Sequence, residues 1–447
     1  MRYIPHTDDD ISAMLDKIGV SSIEELFKPI PEYLRKDVKL ILPEAAAEPE
    51  LIGEISGFAG ENTPVSRLHS FLGAGAYDHY IPSAIRHLLL RGEFYTAYTP
   101  YQSELSQGTL TSIFEFQTMI AGILGMDVAN ASMYDGASAS AEAILMAQRI
   151  TRRDGVLVSG ALHPEFTETI RCFLDNEAEN LRIIPFSSDG RTDIPAIEGS
   201  LGKDTAAVLI ASPNFFGCIE EISKIAALVH QREAILITAF TEPYAFGLID
   251  PPGNSGADIT AGEGQSFGLS LNFGGPLLGL FACKEQYLKT IPGRLVGQAK
   301  DKNGRRSYVL TLAAREQHIR RERATSNICT NQGLCALAAS IHLSLLGREG
   351  FKKISKYNHL LSEYLKKRLA GTGKAKFPFD APTYNEFVAE IPADAGEFFE
   401  NASKKGVICG FPLSRFFPEM KNRLLITVTE KNGIESINTL VRLFEEL

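Results

Sequence analysis

The sequence predicts an α/β protein: a mostly parallel sheet covered by helices on both faces, followed by a smaller α+β domain. Three observations carry this. Between residues 128 and 240, short continuous apolar runs alternate with stretches of helical period, the pattern of strands buried on both faces. Beyond residue 330 the texture changes to one long helical region, then to alternating strand and helix. The chain has 447 residues, 44% hydrophobic and 22% charged, enough to bury a full core in one large domain and a smaller one.

Composition narrows the function classes. A net charge of −9 argues against a nucleic-acid surface and against an anionic membrane. Six scattered cysteines with no Cys-x-x-Cys fit reduced thiols, not a disulfide framework. Asp8, Asp9 and Asp10 stand where a signal peptide would turn apolar, and no apolar run is long enough to span a bilayer. The expectation is a cytoplasmic protein. The nine histidines do not pair at ligand spacing, so no metal is expected. Neither a nucleophile elbow nor a Walker loop is expected.

Residues 1–65 read as a helical N-terminal arm. Thr7 caps a helix ending at Gly19, and Ser22 with Glu25 reads as a capping box. Pro29 and Pro31 then break the chain. So short an arm has too little apolar surface to fold alone, and is expected to pack on the main body or on a neighbouring subunit. Residues 66–330 read as the large α/β domain. A helix from about Gln107 to Leu124 ends at Gly125. Strands follow at Val128–Ser132, Val156–Ser159, Leu181–Pro185, Ala207–Ser212 and Ala234–Phe240. Helices fall between them at about Ala137–Arg152, Pro164–Asn176 and Glu220–Arg232. A Gly-Ala-Asp-Ile-Thr strand and a strand at Leu277–Ala282 flank a glycine-rich loop. Residues 331–447 form the α+β part. Its helix runs from Asn331 to about Leu369, broken near Gly347–Gly350, before strands at Glu386–Ile391, Val407–Gly410 and Arg423–Thr429. Helices are placed at Ala395–Lys405 and Ile434–Leu447.

Several stretches carry candidate chemistry. Gly136, Ala137 and Ser138 open a helix after a strand, where free N–H groups and the dipole favour an anion; they are phosphate-loop candidates, although such turns are common. His163 follows a strand and precedes Pro164; it stacks on a planar ring or is satisfied at the strand end. Pro213-Asn214 lies at the sheet's carboxyl edge and is a turn or a site. Arg67–Pro82, RLHSFLGAGAYDHYIP, places Tyr77 and His79 beside glycines. This is a buried turn or a loop that lines a substrate pocket or touches a subunit. Tyr95 and Tyr98 lie in EFYTAYTPYQSELS. Arg323, Thr325 and Asn327 end the basic run that begins at Arg315, either a solvated face or a contact for an anion or a partner.

One absence organises the rest. In an α/β enzyme that uses pyridoxal phosphate, an acid on the strand at Ala234–Phe240 would hold the ring nitrogen. A lysine after the Gly-Ala-Asp segment would hold the aldehyde. The strand contains no Asp or Glu, and no lysine occurs between Lys224 and Lys284.

The motifs Arg2-Tyr3-Ile4-Pro5, FLGAGAYDHYIP, TAYTPYQSELSQG, FEFQT, GMDVANASMYDGASASAEA, HPEF, GEGQSFG and RRERATSNICTNQG span the chain. Together they closely resemble the N-terminal subunit (subunit 1, or α) of the glycine cleavage system P-protein, glycine dehydrogenase (decarboxylating). The resemblance implies the pyridoxal-phosphate-dependent transferase fold type I, aspartate-aminotransferase-like. It implies two related halves that together decarboxylate glycine, pass the aminomethyl group to the lipoyl arm of the H-protein and release carbon dioxide. The cofactor lysine then belongs to subunit 2, and a complex with two copies of each subunit is expected. No catalytic residue is expected in this chain, and Gly136, Ala137, Ser138 and His163 are vestiges of a cofactor site. Tyr77, His79, Tyr95, Tyr98, Arg323, Thr325 and Asn327 are the candidates for a shared interface or substrate pocket. A regulatory pseudoenzyme, or a self-sufficient decarboxylase or aminotransferase using Lys284, are the alternatives.

Overall fold

The structure is a computed structural model that describes residues 5–36, 41–96, 98–174 and 179–447. Arg2, Tyr3 and Ile4 of the first motif, Ala97 of the tyrosine-rich stretch, and the expected helix end at 175–176 lie outside the described residues. The chain divides into two compact units, Met1–Thr63 and Pro64–Leu447.

The first unit holds α1 (Asp8–Ile18), α2 (Ile23–Leu26), α3 (Glu32–Lys36) and α4 (Glu48–Gly60). Thr7 caps α1 in a reciprocal box: Asp10 N–H donates to Thr7 Oγ1 and Thr7 N–H to Asp10 Oδ2. Gly19 ends it in the left-handed region. The expected Ser22–Glu25 box is only half made. Ser22 caps nothing, and Glu25 accepts from the N–H of Ser21, one residue early, at 2.9 Å.

The second unit is built on a seven-stranded sheet. Its chain opens with β1 (His69–Ser70), α5 (Ser83–Leu89), α6 (Gly92–Tyr95), α7 (Gln107–Leu124) and β2 (Val128–Ala129). Then follow α8 (Gly136–Thr151), β3 (Gly155–Ser159), α9 (Pro164–Leu174), β4 (Leu181–Ile184), α10 (Ile194–Ser200) and β5 (Thr205–Ala211). Next are α11 (Ile222–His230), β6 (Ile235–Phe240), β7 (Ile259–Glu263) and β8 (Gly279–Cys283). The strand order is β2-β8-β7-β6-β5-β3-β4. The five strands from β7 to β4 run parallel, while β8 is antiparallel to both of its neighbours. Every residue of β5, β6, β7 and β8 is buried, which is why β5, β6 and β8 read as mostly apolar runs instead of alternating ones. The strand expected over Val128–Ser132 stops at Ala129. Asn130 turns its side chain onto the N–H of Ser132 and the carbonyl of Pro292, and Ser132 takes a φ of 101°.

A hairpin, β9 (Leu295–Lys300) with β10 (Arg306–Thr311), and the short α12 (Gln317–Arg320) lead to α13 (Gly333–Gly371). Gly347, at φ 60° and ψ 178°, breaks α13 in two, where the sequence places the break. The remainder is β11 (Glu386–Glu390), α14 (Ala395–Lys404), β12 (Val407–Ile408), β13 (Phe411–Pro412), β14 (Arg423–Thr427) and α15 (Ile434–Glu445). β11, β14 and β13 make an antiparallel sheet. The strand expected over Val407–Gly410 pairs instead with β1, in parallel. The segment around His69 thus joins the C-terminal layer: Phe71 N–H donates to the Ile408 carbonyl and accepts at its own carbonyl from Thr427 N–H. Among the described residues, no helix is long and apolar enough to cross a membrane, and no group of three His, Cys, Asp or Glu side chains is placed to hold a metal.

Candidate functional site

The carboxyl ends of β3, β5, β6 and β7 meet along one edge of the sheet, where α/β folds place their ligands. The N-terminus of α8 points to the same edge, and the loop Phe71–Pro82 lies over it.

The N–H groups that open α8 are already taken. Gly136 N–H donates to Glu263 Oε2 at 2.9 Å, and Ser138 N–H to Asp135 Oδ1 at 2.8 Å. Glu263, the last residue of β7, is buried and also accepts from the N–H groups of Gly264, Gln265 and Leu278. Burial raises its carboxyl to about 7, against the lowering effect of those donors. Gly136 is glycine for a packing reason: a Cβ there would stand 2.7 Å from Glu263 N. Ala137, between the two donors, makes no side-chain hydrogen bond.

His163 lies among the protein's own rings. Its Nε2–H donates to the Ala74 carbonyl at 2.8 Å, and Nδ1 accepts from Glu165 N–H. Phe215 meets it edge-on at 4.8 Å, with Phe166 and Phe416 farther out. Burial holds it below the usual histidine range, so it is a neutral ring with both nitrogens satisfied. Asn214 is a turn residue: its Oδ1 accepts from the N–H groups of Phe216 and Cys218, and its Nδ2 donates to Glu220.

Tyr77 and His79 are interior residues, not surface contacts. The Tyr77 hydroxyl bonds to Thr241 at 2.9 Å and donates to Glu386 Oε2 at 3.1 Å. Glu386 also accepts from Ala74 N–H and the Thr427 hydroxyl. Burial raises its carboxyl to about 7. Gly73 permits this approach, since a Cβ there would lie 2.0 Å from Thr427 Oγ1. His79 bridges two carboxylates, with Nε2 to Glu242 at 2.7 Å and Nδ1 to Glu430 at 2.9 Å. Burial alone would lower its pKa, but Glu242 and Glu430 outweigh it and raise it to about 10, so the ring is an imidazolium. Glu430 falls to about 2, because His79 overcomes its burial.

A pyridoxal phosphate needs an anion cradle, an acid beneath its ring nitrogen and a lysine, and the residues here do not fit it. The cradle N–H groups hold internal carboxylates. β6 ends in Ala239-Phe240, and Thr241 beyond it is bonded to Tyr77. After β7 comes Gln265, whose side chain is tied to Tyr77 N–H, the Tyr77 carbonyl and the Leu269 carbonyl. Lys284 is at the other edge: it is ion-paired at 2.7 Å to Asp258, just before β7 begins. The run Gly264–Gly268 does carry the Gly-x-Ser-x-Gly spacing, contrary to the expectation from sequence. Ser266, however, is 1% exposed and its hydroxyl has no partner among the described residues, so no base activates it.

The remaining candidates are elsewhere. Tyr95 and Tyr98 are exposed, Tyr98 at 82%. Arg323 is exposed, and among the described residues Thr325 is held through its backbone alone, N–H to the Arg315 carbonyl. Asn327 lines a cavity of about 350 Å³ with Tyr101, His318, Arg321 and Cys329. The structure therefore brings the end of the tyrosine-rich stretch against the basic run. Sequence reasoning missed what joins them. Arg294, 3% exposed, donates to Thr99, Thr330, Tyr101 and the Cys329 carbonyl. A lone arginine in the apolar run Ile291–Val296 was the available signal. The buried acids Glu242, Glu263 and Glu386, and the half-buried Glu430, were missed as well.

Comparison with known proteins shows the family and the fold. The sequence profile of the family described as glycine cleavage system P-protein matches residues 1–444. The chain is 48% identical over 440 residues to the "Probable glycine dehydrogenase (decarboxylating) subunit 1" of Desulforamulus reducens, covering 98% of each. It is 48% identical over 441 residues to the protein of the same description from Desulfitobacterium hafniense, covering 99% of this chain and 98% of that one. A crystal structure of glycine decarboxylase (P-protein) of the glycine cleavage system, in inhibitor-bound form, superposes with a TM-score of 0.90 at 38% identity over all of both chains. The glutamate decarboxylase of Lactobacillus brevis, at 14% identity and a TM-score of 0.69 over 93% of this chain and 96% of that one, shares the fold alone. This sheet, with its helices and C-terminal layer, is the fold of the pyridoxal-phosphate-dependent type I enzymes. The chain belongs to the glycine cleavage system P-protein family.

Proposed function

We propose that this chain is the lysine-lacking subunit of a two-chain glycine dehydrogenase (decarboxylating). With subunit 2, in two copies of each, it decarboxylates glycine and passes the aminomethyl group to the lipoyl arm of the H-protein, releasing carbon dioxide, in the cytoplasm. Pyridoxal phosphate, which acts as electron sink in that reaction, is bound by subunit 2 and not covalently by this chain. One observation carries the reading: at the ligand-binding edge of a P-protein scaffold, Glu263 occupies the anion cradle of Gly136 and Gln265 follows the strand where a lysine would be needed. In such a division of labour this chain supplies shape: it completes the partner's pocket and excludes water from it. Tyr95, Tyr98, Arg323, Thr325 and Asn327 are the residues proposed to face that pocket, and Tyr77 and His79 to brace the loop behind them. Residues 1–65, 66–330 and 331–447 are proposed as the arm, the large domain and the small domain.

The test uses the purified chain with pyridoxal phosphate and glycine, reduced with borohydride and analysed by mass spectrometry. The expected result is no pyridoxyl adduct and no carbon dioxide release until subunit 2 and lipoylated H-protein are added. An adduct on any lysine of this chain overturns the reading. The second reading, a scaffold that never touches the chemistry, draws on the burial of Tyr77 and His79. It predicts that alanine at Tyr95, Tyr98 and Arg323 leaves turnover of the reconstituted complex unchanged.

A further inference from the structure

A cavity of about 150 Å³ opens where the start of the second unit meets its last helix. Ser66 and His69 line it from the segment around β1, and Asp78 from the loop Phe71–Pro82. Lys431, Asn432 and Ser436 line it from the turn into α15 and from the helix's own first turn. Pockets for drug-sized ligands begin at roughly 300 Å³, so this one suits a group of a few heavy atoms.

The hydrogen bonds show which charge the cavity suits. α15 is 12 residues long, and Gly433 at its N-cap offers no side chain. The N–H groups of Ile434, Glu435 and Ser436 make no hydrogen bond among the described residues. A full turn of donors therefore stands there with the positive end of the helix dipole. The Ser436 side chain points to the same ligand independently. It is 7% exposed, it lines the cavity, and its hydroxyl has no partner among the described residues. Buried polar side chains nearly always have a partner, so this one marks a place for another group. The ring of His69, half-buried, is also without a partner among the described residues. The acceptors, by contrast, are engaged. Both oxygens of Asp78 accept from Lys431 Nζ at 2.6 Å, and Asn432 Oδ1 accepts from Thr429 N–H at 2.8 Å. Free donors beside engaged acceptors select an anion, and the Asp78–Lys431 pair, neutral as a whole, does not repel one.

We propose that this cavity binds a small tetrahedral oxyanion, of the class of inorganic phosphate or the phosphate group of a small monoester. The first-turn N–H groups of α15 and the Ser436 hydroxyl hold its oxygens, Lys431 balances its charge, and His69 closes the site from β1. The anion ties β1, the loop Phe71–Pro82 and α15 together, beside the His79–Glu430 pair that anchors the same loop. The site belongs to this chain alone, whatever its work with subunit 2.

The experiment titrates the full chain with inorganic phosphate in a calorimeter near neutral pH, and follows its thermal melt in phosphate against chloride at equal ionic strength. The native chain is expected to bind phosphate saturably, and its melting temperature to rise with phosphate concentration. Two variants are compared. Ser436→Asp puts a carboxylate among the helix donors, where the dipole favours it, and Lys431→Gln removes an exposed cation. Each is expected to weaken phosphate binding at least about tenfold and to flatten the rise in melting temperature. Loss of binding in either variant with a cooperative melt retained supports the site. If the native chain binds no phosphate at millimolar concentrations, the proposal is overturned. Unchanged affinity in both variants also overturns it, since the ion then binds elsewhere. Methyl phosphate as competitor separates the sources: displacement of phosphate extends the class to monoesters, failure to displace confines it to the free ion, and each supports the site.

Discussion

His79 is the residue on which most depends, because it is a buried cation held by two acids. Removing it leaves Glu242 and Glu430 facing each other without a counter-charge, the costly way to break a buried ion pair. His79→Ala is expected to destabilise the protein by roughly 3–5 kcal/mol in denaturant unfolding. The pH dependence follows in sign. The folded value of about 10 lies above the unfolded value of 6.5. The contribution of His79 is therefore fully present below about 6.5 and lost as pH rises through 10. Glu430 works at the other end, its stabilisation present above 4.5 and lost as pH falls through about 2. Glu386 is raised instead, so its contribution is greatest below 4.5 and disappears as pH rises through about 7. Glu386→Gln keeps acceptors for Ala74 and Thr427 and offers Tyr77 a donor, and removes the charge. Melting temperatures measured from pH 5 to 8 should fall less steeply with pH for this variant than for the native chain, and an unchanged slope would place Glu386 outside the titration. At this scale the sequence revealed absences better than presences. A missing lysine and a missing strand acid are read directly from the chain. The carboxylate that occupies the cradle of Gly136 comes from Glu263, 127 positions away, and nothing local announces the pairing.

At the scale of elements, glycine positions separate two physical situations. Gly136 is pressed on β7, and Gly122 on α7 faces open space. Gly136→Ala forces a Cβ against backbone atoms and should cost about 1–3 kcal/mol, whereas Gly122→Ala should gain about 0.5–1 kcal/mol from helix propensity alone. Chemical denaturation of the two variants should shift in opposite directions. Elements were legible where their determinants are local. Gln107–Leu124 with its Gly125 cap, the Thr7 cap of α1 and the Gly347 break all depend on neighbours in sequence. Those set by distant partners were not. β12 pairs with β1 across the chain, and β2 is cut short by the bonds of Asn130 to Ser132 and Pro292.

For the whole molecule, burial sorts the candidate residues into two classes with different signatures. Tyr95, Tyr98 and Arg323 are exposed, and their removal breaks no buried hydrogen bond. Alanine there should leave stability within about 0.5 kcal/mol of the native chain. Tyr77 sits in the Glu386 network, so Tyr77→Phe leaves an acceptor unpaired inside the protein and should cost about 1–3 kcal/mol. If the chain completes a neighbour's pocket, the exposed class should lower glycine turnover in the reconstituted complex at unchanged melting temperature. The buried class should lower both together. Turnover that tracks melting temperature across all the variants would mean that only the integrity of the fold matters, and the exposed tyrosines would lose their assigned role. Turnover that falls in Tyr95→Ala or Tyr98→Ala with an intact melt ties the effect to the assembled surface, since both rings are exposed on the chain by itself.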